Sequence, residues 1–295
     1  MHGKRRAGTH TARRRKQKDR RRTRKARGKW LTAASADRHD LYERSVQEPD
    51  AECDFIEQVW REKRGRQRLP RSIREDFCGT AAVCAAWVKR HRLNRAVGVD
   101  LNQSVLDWGS RAMLRRLKPA QRSRVRLLRD DVRHAAVRGV DTVLAMNFSH
   151  FIFQTRAELR SYYKSVHRSL KRDGIFILDA YGGSESFEEM QEERDLDGFT
   201  YVWDQHHYNP ITNHVINYIH FKFPDGTRMK RAFSYDWRLW TLPELQEILL
   251  EAGFRSASVY WEGTDEETGE GDGIWAESRL GEACQGWIAY IAALK

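Results

Sequence analysis

Apolar and polar positions alternate in two different rhythms along the chain. Between residues 72 and 179, short apolar runs alternate with segments of helical periodicity. The runs predict strands at residues 72–77, 96–100, 125–128, 141–146 and 175–179. The periodic segments predict helices at residues 81–91, 105–117 and 157–170. Strands that alternate with helices of 10–15 residues indicate a parallel sheet with helices on both faces.

The rhythm changes after Gly182, where no further alternation of helix and strand is found before Trp240. Aromatic and β-branched residues predict antiparallel strands at 201–205, 215–223 and 229–235. A capping box formed by Thr241 and Glu244 then begins a helix, and Gly253 ends it. Two more strands follow at 256–261 and 287–293.

The predicted fold is therefore α/β: a Rossmann-like, doubly wound sheet of seven mostly parallel strands. An antiparallel β insert at about 183–240 separates the fifth strand from the sixth. A lead-in at 36–68 is predicted to be helical, with a break at Pro49.

The charge is concentrated at the N-terminus. Residues 1–30 contain 15 Lys/Arg and one acid, which gives this segment a net charge of +14. The net charge of all 295 residues is +12. The remaining residues, 31–295, carry 38 basic and 40 acidic groups and are nearly neutral. We expect residues 1–30 to be a disordered basic tail, and 31–295 to be one domain. The tail is interpreted either as an attachment to nucleic acid or ribosome, or as a solubilising extension.

The compartment is predicted to be cytoplasmic. Four cysteines without a C-x-x-C pair favour reduced thiols over disulfides or a zinc site. No apolar run approaches the roughly 18 residues that cross a membrane, so no membrane partner is expected.

Candidate chemistry begins where the first predicted strand ends. Glu75 and the residues up to Ala81 lead into a helix, and the next strand ends in Asp100, 21 positions after Gly79. A small residue lets the backbone approach a nucleoside, and an acid at the end of the second strand can accept hydrogen bonds from both ribose hydroxyls.

These residues resemble the first motif of class I S-adenosylmethionine-dependent methyltransferases, which reads acid-x-Gly-x-Gly-x-Gly. Glu75, Phe77, Gly79 and Ala81 take the acid and glycine positions, so only the middle glycine is retained. The Cys-Gly-Thr core that is typical of the family is also present. The resemblance implies S-adenosyl-L-methionine as cofactor, bound by Arg74, Glu75, Cys78, Gly79, Thr80, Asp100, Leu101, Asp131, Val132, Asn147 and Phe148.

Further motifs follow in the family's order. Asp131-Val132 falls where an acid and an apolar neighbour flank the adenine, and residues 141–148 match the fourth strand and the loop near the methyl group. Residues 170–179 resemble the fifth strand, and residues 241–254 the helix before the sixth. The competing cofactor, NAD, needs a glycine-rich turn against its pyrophosphate, and Phe77 and Ala81 leave little room for it.

Methyl transfer requires in-line approach of a nucleophile to the sulfonium methyl group. His150 and Tyr181 follow the fourth and fifth strands and are the candidate catalytic residues. His150 is a possible base or a surface-loop histidine. Tyr181 is a residue of the pocket or of a plain turn.

The insert resembles that of small-molecule N-methyltransferases acting on glycine or sugar amines. The resemblance implies that the acceptor contacts Tyr42, Trp203, His206 and Tyr208. Ordinary packing is the alternative for Tyr42, and a salt bridge with a neighbouring acid is the alternative for Arg74. Several histidines could suggest a metal, but no cysteine or acid pair completes a tetrahedral set, so none is predicted.

Three functions remain open at this point. The near-neutral body and the aromatic insert favour an enzyme that methylates nitrogen or oxygen of a small molecule. The basic tail favours a methyltransferase of RNA or of a ribosomal component. The weakened glycine motif leaves room for a non-catalytic nucleic-acid-binding protein on a methyltransferase scaffold. Sequence gives no oligomeric state.

Overall fold

The computed structural model describes residues 31–65, 68–265, 267–268 and 271–295. The predicted tail, residues 1–30, lies outside the described residues. The chain divides into two compact units. The parallel unit comprises residues 47–180, 241–260 and 290–295. The antiparallel unit comprises the described part of residues 1–46 together with 181–240 and 261–289.

The parallel unit contains the predicted alternation of strands and helices. Its strands are β1 (Ser72–Asp76), β2 (Arg95–Asp100), β3 (Val125–Arg129), β4 (Val140–Ala145) and β5 (Leu170–Gly182). Its helices are α2 (Pro49–Arg64), α3 (Ala82–Arg90), α4 (Gln103–Ala112), the short α5 (Pro119–Arg122), α6 (Arg156–Ser169) and α7 (Leu242–Glu251). Strands β10 (Ser256–Thr264) and β12 (Trp287–Leu294) follow α7 along the chain and belong to the same sheet.

The strands pair as a doubly wound sheet requires. Strand β1 lies between β2 and β4, and β1, β2, β3, β4 and β5 all pair in parallel. Strands β10 and β12 pair with each other in antiparallel fashion. The full order is β11-β10-β12-β5-β4-β1-β2-β3, where β11 is Gly271–Glu277. The predicted Rossmann-like sheet is confirmed, with β11 as an eighth strand at one edge.

Local sequence explains where the helices begin. Thr155 and Thr241 cap α6 and α7, and each forms a reciprocal capping box with a glutamate three residues later. Glycine permits one close approach. A Cβ on Gly109 of α4 would lie 2.3 Å from the carbonyl oxygen of Thr80, so α4 can pack against the first-motif loop only with glycine here.

Three boundaries differ from the prediction. No helix was predicted directly after residue 117, but Pro119 begins α5, because proline suits the first helical position. Residues 105–117 divide into α4 and a 3₁₀ turn, Leu114–Arg116. Strand β5 begins at Leu170 and not at Ile175. Leu170 pairs with Val140 of β4 and Ile175 pairs with Thr142, so the register of the two strands shifts between these pairs.

The antiparallel unit contains helix α1 (Arg38–Val46) and a sheet in the order β6-β7-β8-β9. The strands are β6 (Met190–Leu196), β7 (Phe199–Asn209), β8 (His214–Lys222) and β9 (Arg228–Arg238). Leu41 of α1 packs with Phe199, Ile219 and Phe221 in the core of this unit. The predicted antiparallel insert is confirmed, whereas β6 was missed because its residues are almost all charged or amide-bearing.

Within the described residues, no helix combines the length and the apolar character that crossing a membrane requires.

Candidate active site

The loop between β1 and α3 keeps the backbone shape of the glycine motif without its glycines. Phe77, Gly79 and Ala81 have φ angles of 55°, 51° and 60°. A left-handed conformation costs a non-glycine residue roughly 1–2 kcal/mol. Phe77 packs against Phe153 and Tyr162, and Ala81 is fully buried. Packing therefore holds the two substituted positions in the conformation that glycine would adopt without strain.

Glu75 occupies the N-terminus of helix α3. Its Oε2 accepts a hydrogen bond of 2.9 Å from the backbone N–H of Cys84, and its side chain is buried. A carboxylate at this position interacts favourably with the helix dipole. A pyrophosphate binds at the same position in dinucleotide folds, and it would meet the negative charge of Glu75. The arrangement disfavours NAD and suits a nucleoside cofactor without phosphate.

Asp100 joins the end of β2 to the first-motif loop. Its Oδ2 accepts from the backbone N–H of Gly79 at 2.9 Å, and its Oδ1 accepts from that of Asn102 at 2.8 Å. The residue is only partly buried, and a carboxylate offers about four acceptor positions. Asp100 therefore retains capacity to accept hydrogen bonds from ribose hydroxyls.

The surface around Asp100 also fits a nucleoside. A Cβ built on Gly79 would meet no atom within 4 Å, so the loop leaves open space at this backbone position. Leu101 is 61% exposed and provides apolar surface beside Asp100. The donor and acceptor groups at the end of β2 are consistent with the adenosyl part of S-adenosylmethionine.

Cys78 and Thr80 form the buried wall of this loop. The backbone N–H of Cys78 donates to Val99 of β2 at 3.0 Å, and its carbonyl accepts from Ala81 at 2.7 Å. Burial raises the pKa of the Cys78 thiol well above its usual value, so the thiol stays protonated. Both residues therefore position the loop, and a contact with cofactor through their backbone stays a prediction.

Asp131 and Val132 follow β3. The Asp131 carboxylate accepts a hydrogen bond of 2.6 Å from the guanidinium of Arg133 and another from the backbone N–H of Arg133. These hydrogen bonds lower the pKa of Asp131. Val132 is buried. The placement of this pair beside an adenine stays a prediction.

Arg74 lies in a fully buried polar network on β1. Its guanidinium donates to Asp76 at 2.6 and 3.1 Å, to Ser169 of α6 at 2.8 Å, and to the carbonyl of Val132 at 2.6 Å. Tyr162 of α6 donates to the same Asp76 carboxylate at 2.9 Å. Burial raises the pKa of Asp76 to about 6, against the opposing charge and hydrogen bonds of Arg74.

The network matches the alternative interpretation of Arg74, a salt bridge with a neighbouring acid. Both side chains are fully buried, and the guanidinium ties β1 to α6 and to the segment after β3. A direct contact between Arg74 and cofactor stays a prediction. The arrangement itself supports a positioning role at the base of the first-motif loop.

Asn147 and Phe148 form a left-handed turn where β4 ends, with φ angles of 57° and 58°. Their backbone N–H groups donate to Oδ2 and Oδ1 of Asp179, each at 2.8 Å. Asp179 is buried on β5, three residues before the strand ends, and burial raises its pKa to about 7. One carboxylate therefore holds two consecutive strained residues of the loop that is expected near the methyl group.

Sequence reasoning assigned no role to Asp179, although it ended the predicted fifth strand. An acid directly after a buried apolar run was the available signal. Its partners could not be inferred, because they lie about 30 residues away in the turn that follows the neighbouring strand β4.

His150 lies on a 3₁₀ turn, Ser149–Ile152, and is fully buried. Neither ring nitrogen has a hydrogen-bond partner among the described residues. Burial lowers the pKa of His150 to about 3, so the imidazole is neutral. The interpretation as a surface-loop histidine is wrong. A role as base stays a prediction, and it would require access that the buried ring lacks in this conformation.

The remaining candidates belong to the antiparallel unit. Tyr181 accepts a hydrogen bond of 3.3 Å from the Asn217 amide, and its ring lies 6.4 Å from that of Trp237. Tyr42 of α1 packs against Phe233 with ring centroids 4.8 Å apart. Burial raises the pKa of Tyr181, so its hydroxyl stays neutral.

Trp203, His206 and Tyr208 all lie on β7. Trp203 is half-buried in the aromatic face of the sheet, whereas His206 is exposed and lies 5.0 Å from the ring of Tyr218. The Tyr208 hydroxyl donates to Asn213 at 3.0 Å. Their contact with an acceptor stays a prediction.

The histidines of β7 and β8 are engaged in other ways. Nε2 of His220 lies 2.9 Å from Asp204, and its Nδ1 accepts from the backbone N–H of Arg231 at 2.8 Å. This pattern fixes the tautomer with the proton on Nε2. Among the described residues, no three His, Cys, Asp or Glu side chains come together as a metal site.

Comparison with known proteins places this geometry in a class. Residues 76–178 match the family model described as a methyltransferase domain. A methyltransferase from Clostridium acetobutylicum described as S-adenosylmethionine-dependent has a similar structure, with a TM-score of 0.63 at 19% identity. The match covers 87% of this chain and 97% of that one. No match was found among curated protein sequences.

Two further solved structures share the fold. One is a sugar N-methyltransferase from a Streptoalloteichus species, with a TM-score of 0.59, 18% identity, and coverage of 92% and 97%. The other is an amino pentose methyltransferase from Micromonospora echinaspora, with a TM-score of 0.61, 16% identity, and coverage of 92% and 99%. Identities this low establish the fold alone.

Fold and family model together define the class. Residues 76–178, about a third of the chain, match a methyltransferase domain, and the chain shares the fold of a methyltransferase that is described as S-adenosylmethionine-dependent. The resemblance to class I methyltransferases, and with it the predicted enzyme class and cofactor, is confirmed.

Proposed function

We propose that this protein transfers the methyl group of S-adenosylmethionine to a nitrogen atom of a small-molecule amine, with an oxygen acceptor as the alternative. The observation that carries the proposal is the aromatic face of the antiparallel sheet. Trp203, Tyr235 and Trp237 form one cluster there, with ring centroids 4.4–6.3 Å apart. An aromatic face with few polar groups is typical of small-molecule sites.

A carboxylate on the same sheet supports an amine. Glu192 of β6 lies opposite Trp203 in the strand register. Burial and the neighbouring charge of Glu185 raise its pKa, against the charge of Arg194. The Glu192 carboxylate forms no hydrogen bond or ion pair with a described residue. An ammonium group would satisfy this carboxylate and gain cation–π attraction from the indole.

The fold neighbours support the same acceptor class. A sugar N-methyltransferase and an amino pentose methyltransferase are among the structures that this chain resembles over more than nine-tenths of its length. An amino sugar or a related small amine is therefore the first acceptor class to test.

The chemistry needs little beyond positioning. An acceptor that binds at Glu192 as an ammonium first loses a proton to solvent, which frees the nitrogen lone pair. The lone pair then forms a C–N bond with the methyl carbon as the C–S bond breaks, and the electron pair leaves on sulfur. The cofactor supplies the activated methyl group, so orientation provides most of the rate. Within the parallel unit, Asp100 is proposed to orient the ribose and the Asn147–Phe148 turn to shape the region of the methyl group.

The proposal is tested with a methyl-labelled cofactor against amino sugars, small metabolite amines and ribosomal RNA. We expect label in an amino sugar or small amine. Trp203→Ala and Glu192→Gln should then each raise KM for the acceptor about 10-fold, since a desolvated cation–π contact is worth about 1–2 kcal/mol. Cofactor affinity should not change.

Glu188→Gln is the matched control, because Glu188 is an exposed glutamate of the same unit. Glu188→Gln should leave the KM for the acceptor and the KM for the cofactor unchanged. Label in ribosomal RNA with none in any amine would overturn the proposal. An equal effect of Glu188→Gln and Glu192→Gln would remove Glu192 from the acceptor site.

A second candidate is a methyltransferase of RNA or of a ribosomal component. Its support is the +14 charge of residues 1–30, since clustered Lys/Arg binds phosphates. Deletion of residues 1–30 separates the two. Full turnover of a small amine by the shortened protein supports the first function, and a collapse of activity towards RNA supports the second. A protein that binds no cofactor in calorimetry would be the non-catalytic scaffold.

A further inference from the structure

A belt of exposed basic side chains surrounds strand β3, and we call it the basic edge. Strand β3 is the last strand in the order of the sheet. Ten exposed side chains form the basic edge: Lys89, Arg92, Arg95, Arg111, Arg115, Arg116, Lys118, Arg122, Arg126 and Arg129.

The near-neutral charge of residues 31–295 conceals this edge. Residues 89–129 contain twelve Lys/Arg against two acids, Asp100 and Asp107, which is a net charge of +10 in 41 residues. The other residues of 31–295 therefore contain 26 basic and 38 acidic groups, a net charge of −12. The near-neutral net charge of residues 31–295 is therefore the sum of a strongly basic segment and an acidic remainder.

Hydrogen bonds bring the separate segments of the edge together. The Arg124 guanidinium donates to the carbonyl oxygens of Val88 and His91 at 2.8 and 2.9 Å, which joins the end of α3 to the start of β3. Arg122 of α5 donates to the carbonyl of Arg115 at 3.3 Å. In the sheet, Arg129 of β3 lies opposite Asp100 of β2. The charges thus share one border of the parallel unit.

The basic edge differs from other charged parts of the chain in its pairing. Arg61, Arg133 and Arg156 each form an ion pair with a nearby acid. None of the ten side chains of the basic edge forms an ion pair with a described residue. Concentrated like charge repels itself and raises the free energy of the compact state, so an anionic partner would stabilise this border.

We propose that the basic edge binds the phosphate backbone of nucleic acid. Eight of its ten side chains are arginines, whose planar guanidinium groups match phosphate in a bidentate manner. A membrane-binding surface would interleave aromatic side chains with the charges. Within residues 89–129, the large exposed hydrophobic side chains are Leu93 and Leu101, and neither is aromatic. The binding is expected to be independent of sequence, because these contacts are to phosphates.

Salt dependence tests the proposal in the full chain. Binding of a fluorescein-labelled DNA duplex of about 20 base pairs is measured by anisotropy between roughly 50 and 200 mM salt. The test variant is Arg116→Gln/Arg122→Gln/Arg126→Gln. Each lost phosphate contact lowers the slope of log K against log salt by about 0.9. We expect the slope to fall by about 3 when all three contacts are lost.

The control removes the same charge elsewhere. Lys164→Gln/Arg168→Gln/Arg172→Gln changes three exposed cations of α6 and the start of β5. Residues 1–30 are present in all three proteins, so the difference between the two triple variants reports the basic edge alone. The control should keep the wild-type slope.

The following outcomes decide the proposal. Equal slopes for both triple variants would overturn it, as would stronger loss of binding to phosphatidylserine vesicles than to the duplex. If the triple variant does not fold, Arg126→Gln alone should lower the slope by about 1. Cofactor affinity measured by calorimetry should be unchanged in every variant, so this test stands or fails independently of the proposed methyl transfer.

Discussion

Two aspartates lie towards the carboxyl ends of parallel strands in the sheet that carries the candidate site, and their side chains have different partners. Asp100, at the end of β2, is partly exposed and accepts one backbone hydrogen bond on each oxygen, from Gly79 and Asn102. Asp179, three residues before the end of β5, is buried and accepts hydrogen bonds from the consecutive residues Asn147 and Phe148. The Asp100 carboxylate can therefore still accept hydrogen bonds from a ligand. The Asp179 carboxylate is enclosed by the turn that it stabilises.

The difference teaches how to separate a binding residue from a positioning residue. Asp100 and Asp179 are of the same residue type, and both lie towards the carboxyl end of a parallel strand. Exposure differs, and it decides whether a ligand can reach the carboxylate. We therefore expect variants of Asp100 to change cofactor affinity and variants of Asp179 to change the free energy of unfolding and turnover.

The largest effect should come from the network beneath the first-motif loop. Arg74→Met leaves the Asp76 carboxylate buried without its cation, which should lower the free energy of unfolding by about 3–5 kcal/mol. The measurement is unfolding in urea, followed by tryptophan fluorescence.

A double variant tests the cause. Arg74→Met/Asp76→Leu removes both charges and should recover much of the stability that the single variant loses, because an apolar pair of similar volume replaces a buried ion pair at little cost. Recovered stability with recovered cofactor affinity would place Arg74 in a positioning role. Recovered stability with lost affinity would instead support the predicted contact between Arg74 and cofactor.

Asp179→Ala should have the next largest effect. It leaves two partly buried N–H donors of a left-handed turn without their partner, which costs up to about 1–3 kcal/mol for each donor, less the relief of removing a buried carboxylate. We expect a loss of about 2–3 kcal/mol in the free energy of unfolding and a fall in kcat of about 100-fold, since small misplacements of reacting groups are costly. Cofactor affinity should change much less than kcat.

Asp107→Ala is a matched control on helix α4, where the exposed carboxylate accepts only from Gln103. Its effect on unfolding should be a few tenths of a kcal/mol. Equal effects of the two variants would contradict the assignment of Asp179 to the turn.

The burial of Asp179 should also make the free energy of unfolding depend on pH. Burial raises the pKa of Asp179 in the folded state from 3.8 to about 7. A raised pKa contributes stability that is complete below the unfolded value and is lost as the pH rises through the folded value. Wild type should therefore lose stability relative to Asp179→Asn between about pH 4 and pH 7. Asp76, whose pKa is also raised, is present in both proteins and cancels in the difference.

Much of the fold could be predicted because its signals are local. The capping box of Thr241 and Glu244 lies within four residues, and the apolar residues of β2 and β4 are directly readable from the sequence. Strand β6 could not be predicted, because an edge strand of charged residues has no apolar alternation. The register shift of β5 depends on its partner β4, which the sequence of β5 does not contain.

The candidate site divides in the same way. The spacing of Gly79 and Asp100 predicted that both contact the cofactor, and this stays a prediction. The hydrogen bond that the structure places between the Gly79 N–H and the Asp100 carboxylate was not predicted. The partners of Arg74 and Asp179 lie on distant segments, and burial decides their roles. His150 shows the same limit, because its loop position suggested exposure and the ring is fully buried.

Asp100→Ala tests the exposed member of the pair. The variant should weaken binding of S-adenosylmethionine by about 1–3 kcal/mol, the cost of leaving ribose hydroxyls without acceptors. Titration calorimetry measures this change, and Asp107→Ala serves again as the control. Unchanged affinity in Asp100→Ala would remove the ribose from the end of β2 and with it the contrast between the two aspartates.

The smallest expected effect concerns the strained alanine of the first-motif loop. Ala81 has a φ of 60° and is fully buried, so glycine at this position relieves a left-handed conformation without removing a large side chain. We expect Ala81→Gly to raise the free energy of unfolding by up to about 1 kcal/mol, because the relief of roughly 1–2 kcal/mol exceeds the entropic cost of glycine. Ala86→Gly, in the interior of α3, should instead lower it by about 1 kcal/mol. Opposite signs for these two substitutions, measured in the same urea titration, would show that the loop keeps the glycine conformation under strain, whereas a loss of stability in both would contradict it.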